Sequence, residues 1–189
     1  TFDGNQASTS GAAIRLNSGG PVSIENCTFT NNSSDGAGGA MIVTNARETF
    51  TVTNCTFGTS GKGNTSGGDG GAVRIASGSV NAVFDGCTFT DNSAANAGGI
   101  SLQTSFSGTV TVSGGSFTNC SASSNGGAIN HGSGTLIVDG ASFDGCHADK
   151  FGGAYATTDT SDGNVQFKNC DFGKVTRNTA LERGGCIYS

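Results

Sequence analysis

The chain has 189 residues, of which 33 are Gly, one is Pro and seven are Cys, with 12% charged residues and a formal net charge of −5. A hydrophobic share of 34% with twelve Phe residues is unlike a disordered chain, and the Gly residues lack the Gly-X-Y period of collagen. No apolar run is long enough for a membrane-spanning helix, and the few basic residues disfavour nucleic acid as a partner. A Gly-rich, nearly Pro-free chain is best searched for internal repeats.

The first repeated feature is a Phe residue that recurs at intervals of 26 to 32 residues. Each later Phe follows two alternating apolar residues, seven and five positions before it, as Val22 and Ile24 precede Phe29. Alternation with a period of two predicts a strand with one buried face. The recurring residues are Phe2, Phe29, Phe57, Phe89, Phe117, Phe143 and Phe172.

A second repeated feature is a Gly or Asn three positions before each later Phe, such as Asn26 or Gly86. Gly and Asn tolerate a left-handed backbone at the least cost, so this position predicts a sharp corner. Farther along each repeat, small residues precede an apolar one, as in Gly126-Gly127-Ala128-Ile129. Apolar residues two positions later, such as Leu102 after Ile100, predict another strand.

Three short strands per repeat, joined by tight corners, predict a single-stranded parallel β-helix of about six to seven coils. In such a solenoid, equivalent residues of successive coils stack into ladders about 4.8 Å apart. We treat residues 1–189 as one β-helix domain. Since neither end carries an amphipathic cap, we expect a segment of a longer repeat array, or a unit joined end to end with other copies.

Two tetrapeptides, Phe-x-x-Asn and Gly-Gly-Ala-Ile, recur in tandem along the whole chain. This combination resembles the polymorphic membrane proteins of chlamydiae. The resemblance implies a right-handed β-helical passenger, of the autotransporter kind, exposed on a cell surface with an adhesive function. The first tetrapeptide stands as Phe2-Asp3-Gly4-Asn5, Phe29-Thr30-Asn31-Asn32 and Phe89-Thr90-Asp91-Asn92, and elsewhere its last position is Ser60, Cys120, Cys146 or Val175.

The seven cysteines follow the repeat and form no Cys-x-x-Cys pair, so the sequence predicts no metal and no cofactor. Cys120 and Cys146 share the position three after Phe, and Cys186 replaces the Ala of Gly-Gly-Ala-Ile. We expect mostly free, buried thiols that act as small hydrophobic groups, with a Cys120–Cys146 disulfide as the alternative. The other four, two positions before Phe, are Cys27, Cys55, Cys87 and Cys170.

Two connections after Phe are longer than the others and are the candidate binding loops, although a tolerated surface insertion is the simpler explanation. The first spans Gly58 to Asp69 and the second Lys174 to Arg183. The candidate residues are Lys62, Asn64, Asp69, Lys174, Arg177 and Arg183.

The Thr residues on either side of Phe form a second candidate surface, because alternation points them outward. A flat ladder of this kind resembles the ice-binding face of insect antifreeze solenoids, and the β-propensity of Thr explains it equally well. Its members are Thr28, Thr30, Thr56, Thr88, Thr90 and Thr118.

Catalysis is not expected, because no two of the three Glu residues are in register and most Asp residues precede Gly, which is turn chemistry. The sequence therefore predicts a non-enzymatic, adhesin-like structural domain, extracellular or on a cell surface, whose partner is a protein or glycan on another surface. A β-helical polysaccharide lyase or epimerase and an ice-binding protein are the alternatives. N-glycosylation sequons begin at Asn26, Asn31, Asn32, Asn54, Asn64 and Asn119.

Overall fold

The chain winds as a parallel β-helix in the computed structural model, which describes residues 1–17, 20–45, 48–157 and 163–189. The described residues form four sheets that run along the rod, three of seven strands and one of six. Every strand pairs in parallel with the equivalent strand of the next coil, as Phe2 pairs with Phe29. We number the coils 1 to 7 from the recurring Phe with which each begins, so that coil 3 begins at Phe57.

The Phe sheet contains the recurring Phe, and the short sheet follows it in every coil. The strands of the Phe sheet are Phe2–Asp3, Thr28–Thr30, Thr56–Phe57, Thr88–Thr90, Ser116–Thr118, Ser142–Asp144 and Asp171–Phe172. Those of the short sheet are Gln6–Ala7, Ser33–Ser34, Thr65–Ser66, Ser93–Ala94, Ser121–Ala122, His147–Ala148 and Thr179–Ala180.

The Ile sheet begins after the Gly-Gly pair, and the long sheet completes the coil. The strands of the Ile sheet are Ile14–Asn17, Met41–Thr44, Val73–Ile75, Ile100–Leu102, Ile129–His131, Tyr155–Thr157 and Ile187–Tyr188. Those of the long sheet are Val22–Glu25, Phe50–Thr53, Asn81–Asp85, Thr109–Ser113, Thr135–Asp139 and Asn164–Lys168.

The prediction of three strands per coil is wrong, because each of the first six coils contributes a strand to all four sheets. The missing element is the short sheet, whose strands have only two residues. A two-residue strand shows no alternation long enough to be recognised in a sequence, so its pairing emerges only from the stacking of coils.

The predicted corners are confirmed by the backbone. The position three before Phe has a left-handed φ in every later coil, for example 53° at Asn26 and 60° at Gly86. The first Gly of the Gly-Gly pair makes another such corner, with φ 72° at Gly70. Its neighbour Gly71 is needed for close packing, because an added Cβ would lie 2.5 Å from the Ser93 carbonyl oxygen.

Stacked rings form the centre of the core. The seven recurring Phe rings lie face to face, with neighbouring centroids 4.6–4.9 Å apart and planes within 6° of parallel. Apolar residues of the Ile and long sheets, such as Ile100 and Val112, pack against them and are fully buried. The ladders predicted from the repeat are therefore the core of the molecule.

A ladder of buried amides lines the corner between the Phe sheet and the short sheet. Asn32 donates from Nδ2 to the Phe2 carbonyl at 3.0 Å and to Asn64 Oδ1 at 2.8 Å. Asn64 repeats both bonds, to Phe29 and to Asn92. The amides thereby satisfy backbone groups that the corner leaves without a strand partner. The Asn members of this Asn ladder are Asn5, Asn32, Asn64, Asn92 and Asn178.

Candidate functional surfaces

The first long connection is a loop of residues 58–63 in coil 3. Its turn is closed by the Lys62 amide, which donates to the Thr59 carbonyl at 2.8 Å, and the Asp91 carboxylate of the next coil accepts from the Gly61 amide at 2.7 Å. The Lys62 side chain is exposed. The loop is shorter than the predicted span of 58–69, because residues 65–66 belong to the short sheet.

The prediction that Asn64 is a binding residue is wrong. Its side chain is fully buried, and it occupies the Asn ladder in place of the residue expected three positions after Phe57, which is Ser60. Four inserted residues place this Asn seven positions after Phe57 in the sequence, but its side chain keeps the ladder position that the Asn of Phe-x-x-Asn has in other coils. Burial also makes Asn32 and Asn64 inaccessible to glycosylation, whereas Asn26 and Asn119 are exposed.

The second long connection is a loop of residues 173–177 in coil 7, after which Asn178 resumes the Asn ladder. The Lys174 ammonium lies 3.5 Å from the Asp171 carboxylate, and the Val175 amide donates to Asp144 Oδ1 at 2.9 Å. Arg177 is exposed. Both loops leave the rod at the same corner, and the four intervening coil spacings put them about 19 Å apart.

Asp69 and Arg183 lie outside these loops, on a column of residues that precedes the Ile sheet. Asp69 pairs with Asn96 of the next coil, and Arg183 pairs with Phe151. The Arg183 side chain is exposed, whereas that of Asp69 is only 20% exposed because it turns toward the outer surface of the Ile sheet. The structure therefore separates both residues from the Lys62 and Lys174 loops.

The predicted Thr ladder is continuous in one column and interrupted in the other. Thr28, Thr56 and Thr88 are in register, and the column continues as Ser116 and Ser142. The second column pairs Thr90 with Thr118. The prediction that Thr30 points to solvent is wrong, since Thr30 is only 7% exposed. Its Oγ1 donates to Asp3 Oδ1 at 2.7 Å, and the 58–63 loop contacts the next residue, because the Asn31 amide donates to the Lys62 carbonyl.

A shallow groove of about 440 Å³ follows the short sheet through coils 3 to 6. Small residues such as Ser93, Ala94 and Ser121 line it, and His147 and Asp149 lie at one end with Nε2 and Oδ1 3.0 Å apart. This groove was not predicted from the sequence. It could have been recognised from its spacing, because residues such as Ser93 and Ser121, which begin the strands of the short sheet, directly follow the Asn-ladder position in every coil.

His147 also lies 2.8 Å from Thr179 Oγ1 through Nδ1, so a hydroxyl, an imidazole and a carboxylate form one chain. Acyl transfer additionally needs N–H donors that point at the developing oxyanion. The Thr179 and Leu181 amides instead donate to carbonyls of the preceding coil. The His147–Thr179 hydrogen bond joins coils 6 and 7, and the Asp149 contact holds the imidazole on its other side.

All seven cysteines are free thiols, so the predicted state is confirmed and the Cys120–Cys146 disulfide is not formed. Cys120 and Cys146 take the place of Asn in the Asn ladder. Their thiols donate to the Phe89 and Phe117 carbonyls at 3.5 Å, as the amides do in other coils. Burial raises the pKa of Cys87 to about 11, which keeps this thiol protonated and unreactive at neutral pH.

Stacked coils with parallel strands and inward ladders define a β-solenoid. The family model described as "Right handed beta helix region" matches residues 1–105, and the chain belongs to this family. The predicted right-handed parallel β-helix is thereby confirmed. No curated protein and no solved structure matches the chain. Within the described ranges, no helix is long and apolar enough to cross a membrane.

Proposed function

We propose that the chain is a non-enzymatic, adhesin-like structural domain, extracellular or on a cell surface, whose loops bind a protein or glycan on another surface. The observation that carries the proposal is the common origin of the two loops. Residues 58–63 and 173–177 both replace the two residues between Phe and the Asn ladder, while the ladder beneath them continues through Asn64 and Asn178. A rigid scaffold that presents variable loops is a common way to build a binding surface.

Charge supports the same surface. The protein is acidic overall, yet Lys62, Lys174 and Arg177 place three of its nine basic residues on these two loops. Lys174 is paired with Asp171, so Lys62 and Arg177 are the exposed basic groups that these loops offer to an acidic partner. The resemblance to chlamydial passenger regions supports a surface location.

The test replaces residues 58–63 by Thr-Asp, the pair that joins Phe89 to Asn92 in coil 4. The replacement keeps the Asn ladder in register, so we expect the thermal unfolding midpoint to change little while binding to cells or arrayed glycans falls at least tenfold. The control is Thr111→Ser on the long sheet, which leaves both loops intact. Undiminished binding by the loop-replaced protein contradicts the proposal. So does turnover of uronic-acid polymers or thermal hysteresis by the unmodified chain, which are the signatures of the lyase-like and ice-binding alternatives.

A further inference from the structure

The outer surface of the long sheet is an uninterrupted face that runs along six coils. Its strands have four or five residues, and each is in register with the strand of the next coil. Inward residues such as Val22 and Ile24 alternate with outward residues, which are exposed or half-buried. The outward side chains therefore form columns along the rod, with a spacing of about 4.8 Å between coils.

The central column of this face is neutral and partly apolar. It contains the aliphatic side chains of Val83 and Ile137, which are half-buried and separated by Thr111. The middle of the face thus offers methyl groups without charge, which is the composition found at the centre of protein interfaces. The members of this central column are Ser23, Thr51, Val83, Thr111, Ile137 and Gln166.

The neighbouring column, which we call the charged column, carries opposite charges at its two ends. Glu25 lies in coil 1 and Lys168 in coil 6, so five coil spacings of about 4.8 Å prevent them from pairing within one chain. Both side chains are exposed, and within the described ranges neither takes part in a salt bridge. Asp139, the register neighbour of Lys168, accepts from Asn169 Nδ2 at 2.9 Å. The members of the charged column are Glu25, Thr53, Asp85, Ser113, Asp139 and Lys168.

This order of charges is complementary to itself when a second copy lies face to face with its rod reversed. The two-fold axis of such a pair runs parallel to the strands, so it sets the charged column against itself and coil 1 against coil 6. Glu25 of each copy then lies opposite Lys168 of the other. Packed sheets are about 10 Å apart, a gap that a Glu and a Lys side chain close from opposite sides. In the coils between, each Asp lies opposite a Thr or a Ser, so no carboxylate meets another.

Charge also selects the register of this antiparallel pair. A shift by one coil in one direction sets Asp85 against its own copy and Glu25 against Asp139. A shift in the other direction sets Asp85 against Asp139. Both shifts place carboxylates opposite each other, which is strongly unfavourable. A parallel pair sets the charged column against the neutral column that contains Asn81, so the charges at its ends stay unpaired.

We propose that two copies of the chain associate face to face through the outer surfaces of their long sheets, with their rods antiparallel. Two Glu25–Lys168 pairs lie at the rim, and the methyl groups of the two central columns meet in the middle. A face about 16 Å wide and about 29 Å long buries about 900 Å² over both copies, which is small for a specific interface. The association is therefore reversible, and it weakens as salt screens the rim charges.

The test is sedimentation velocity between about 10 µM and about 1 mM protein, where we expect a monomer–dimer equilibrium. Glu25→Lys or Lys168→Glu alone sets like charges opposite each other at both ends of the interface and should weaken the dimer about tenfold. The double variant exchanges the two charges and should restore the affinity of the parent. Lys150→Glu, exposed and outside the long sheet, is the charge-matched control for Lys168→Glu and should leave the dimer unchanged.

Thr111→Arg tests the middle of the face independently of the rim and should also weaken the dimer. If the double variant unfolds at a lower temperature than the parent, Thr111→Arg and the two single variants decide the outcome.

Protein that stays monomeric over the whole concentration range overturns the proposal. So does a dimer that neither single charge reversal weakens, or one that a stably folded double variant fails to restore. Oligomers larger than a dimer assign the association to the ends of the rod and overturn it as well. The result is independent of loop-mediated binding, because replacement of residues 58–63 leaves the long sheet intact and should leave dimerisation unchanged.

Discussion

Asn92 Nδ2 donates to the carbonyl oxygen of Phe57 at 2.7 Å, across the boundary between coils 4 and 3. The same side chain accepts from the Asn64 amide nitrogen at 2.8 Å and from Asn64 Nδ2 at 2.9 Å. One buried amide therefore satisfies three polar groups of the preceding coil. The Asn ladder joins the coils by hydrogen bonds as the Phe stack joins them by packing.

Asn92→Ala should lower the free energy of unfolding by about 3 kcal/mol, because it leaves buried groups of Phe57 and Asn64 unpaired. Asn92→Cys should cost less, since the thiols of Cys120 and Cys146 already serve as donors at this position. Urea denaturation measures both. Asn119→Gly, at an exposed left-handed corner, is the control and should stay within about 0.5 kcal/mol of the parent. Equal stability of Asn92→Ala and the parent contradicts the role of the ladder.

Phe89→Ala should lower the free energy of unfolding by about 3–5 kcal/mol, because the ring is fully buried between Phe57 and Phe117. The cost combines lost burial with a cavity that a rigid stack does not close. Chemical denaturation followed by circular dichroism gives the value. Val83→Ala, on the outer surface of the long sheet, should cost less than half as much. If Phe89→Ala lowers the free energy of unfolding by less than about 1 kcal/mol, the Phe stack is not a main source of stability.

His131 should make stability depend on pH. The ring replaces an apolar residue of the Ile sheet, is 1% exposed and lies 3.0 Å from the Tyr155 hydroxyl through Nδ1 and 3.2 Å from the Gly134 carbonyl through Nε2. Burial lowers the pKa of His131, so the unfolded chain takes up its proton first. Tyr155 remains neutral throughout, because burial raises its pKa to about 12.

The contribution of His131 is complete above its unfolded pKa of about 6.5, declines as the pH falls below that value, and is lost below the folded pKa. The slope within this window has an upper bound of about 1.4 kcal/mol per pH unit, the value for the uptake of one proton. His131→Leu, which extends the column from Leu102, should flatten the dependence between pH 5 and 7 as measured by urea titrations. His147→Gln is the control at the surface. An unchanged slope in His131→Leu assigns the pH dependence to other groups.

Thiol labelling should divide the cysteines by burial. Cys55, Cys87, Cys120 and Cys146 are buried, and we expect them to resist a thiol reagent at pH 8 until the protein unfolds. The half-buried Cys27, Cys170 and Cys186 should react first. Mass spectrometry of the labelled peptides measures the order, with denatured protein as the control for full labelling. Rapid modification of Cys87 in the folded state contradicts its burial.

The repeat in the sequence was sufficient to predict the coils, the Phe stack, the left-handed corners at positions such as Asn26 and Gly86, and the free state of the cysteines. These features follow from the stacking of similar coils, because a residue at a given position of the repeat lies about 4.8 Å from the residue at the same position of the next coil. The period of the sequence therefore predicts which residues are in contact in the folded chain.

Only the tertiary structure decided at which residue a coil with an inserted loop returns to the register of its neighbours. The insertion after Phe57 hid the place of Asn64 in the ladder, because the return point of a loop is set by the coils above and below it. The His147–Asp149 and Asp69–Arg74 contacts share this cause. Each joins residues of different columns or coils, and the spacing of the repeat fixes only contacts within one column.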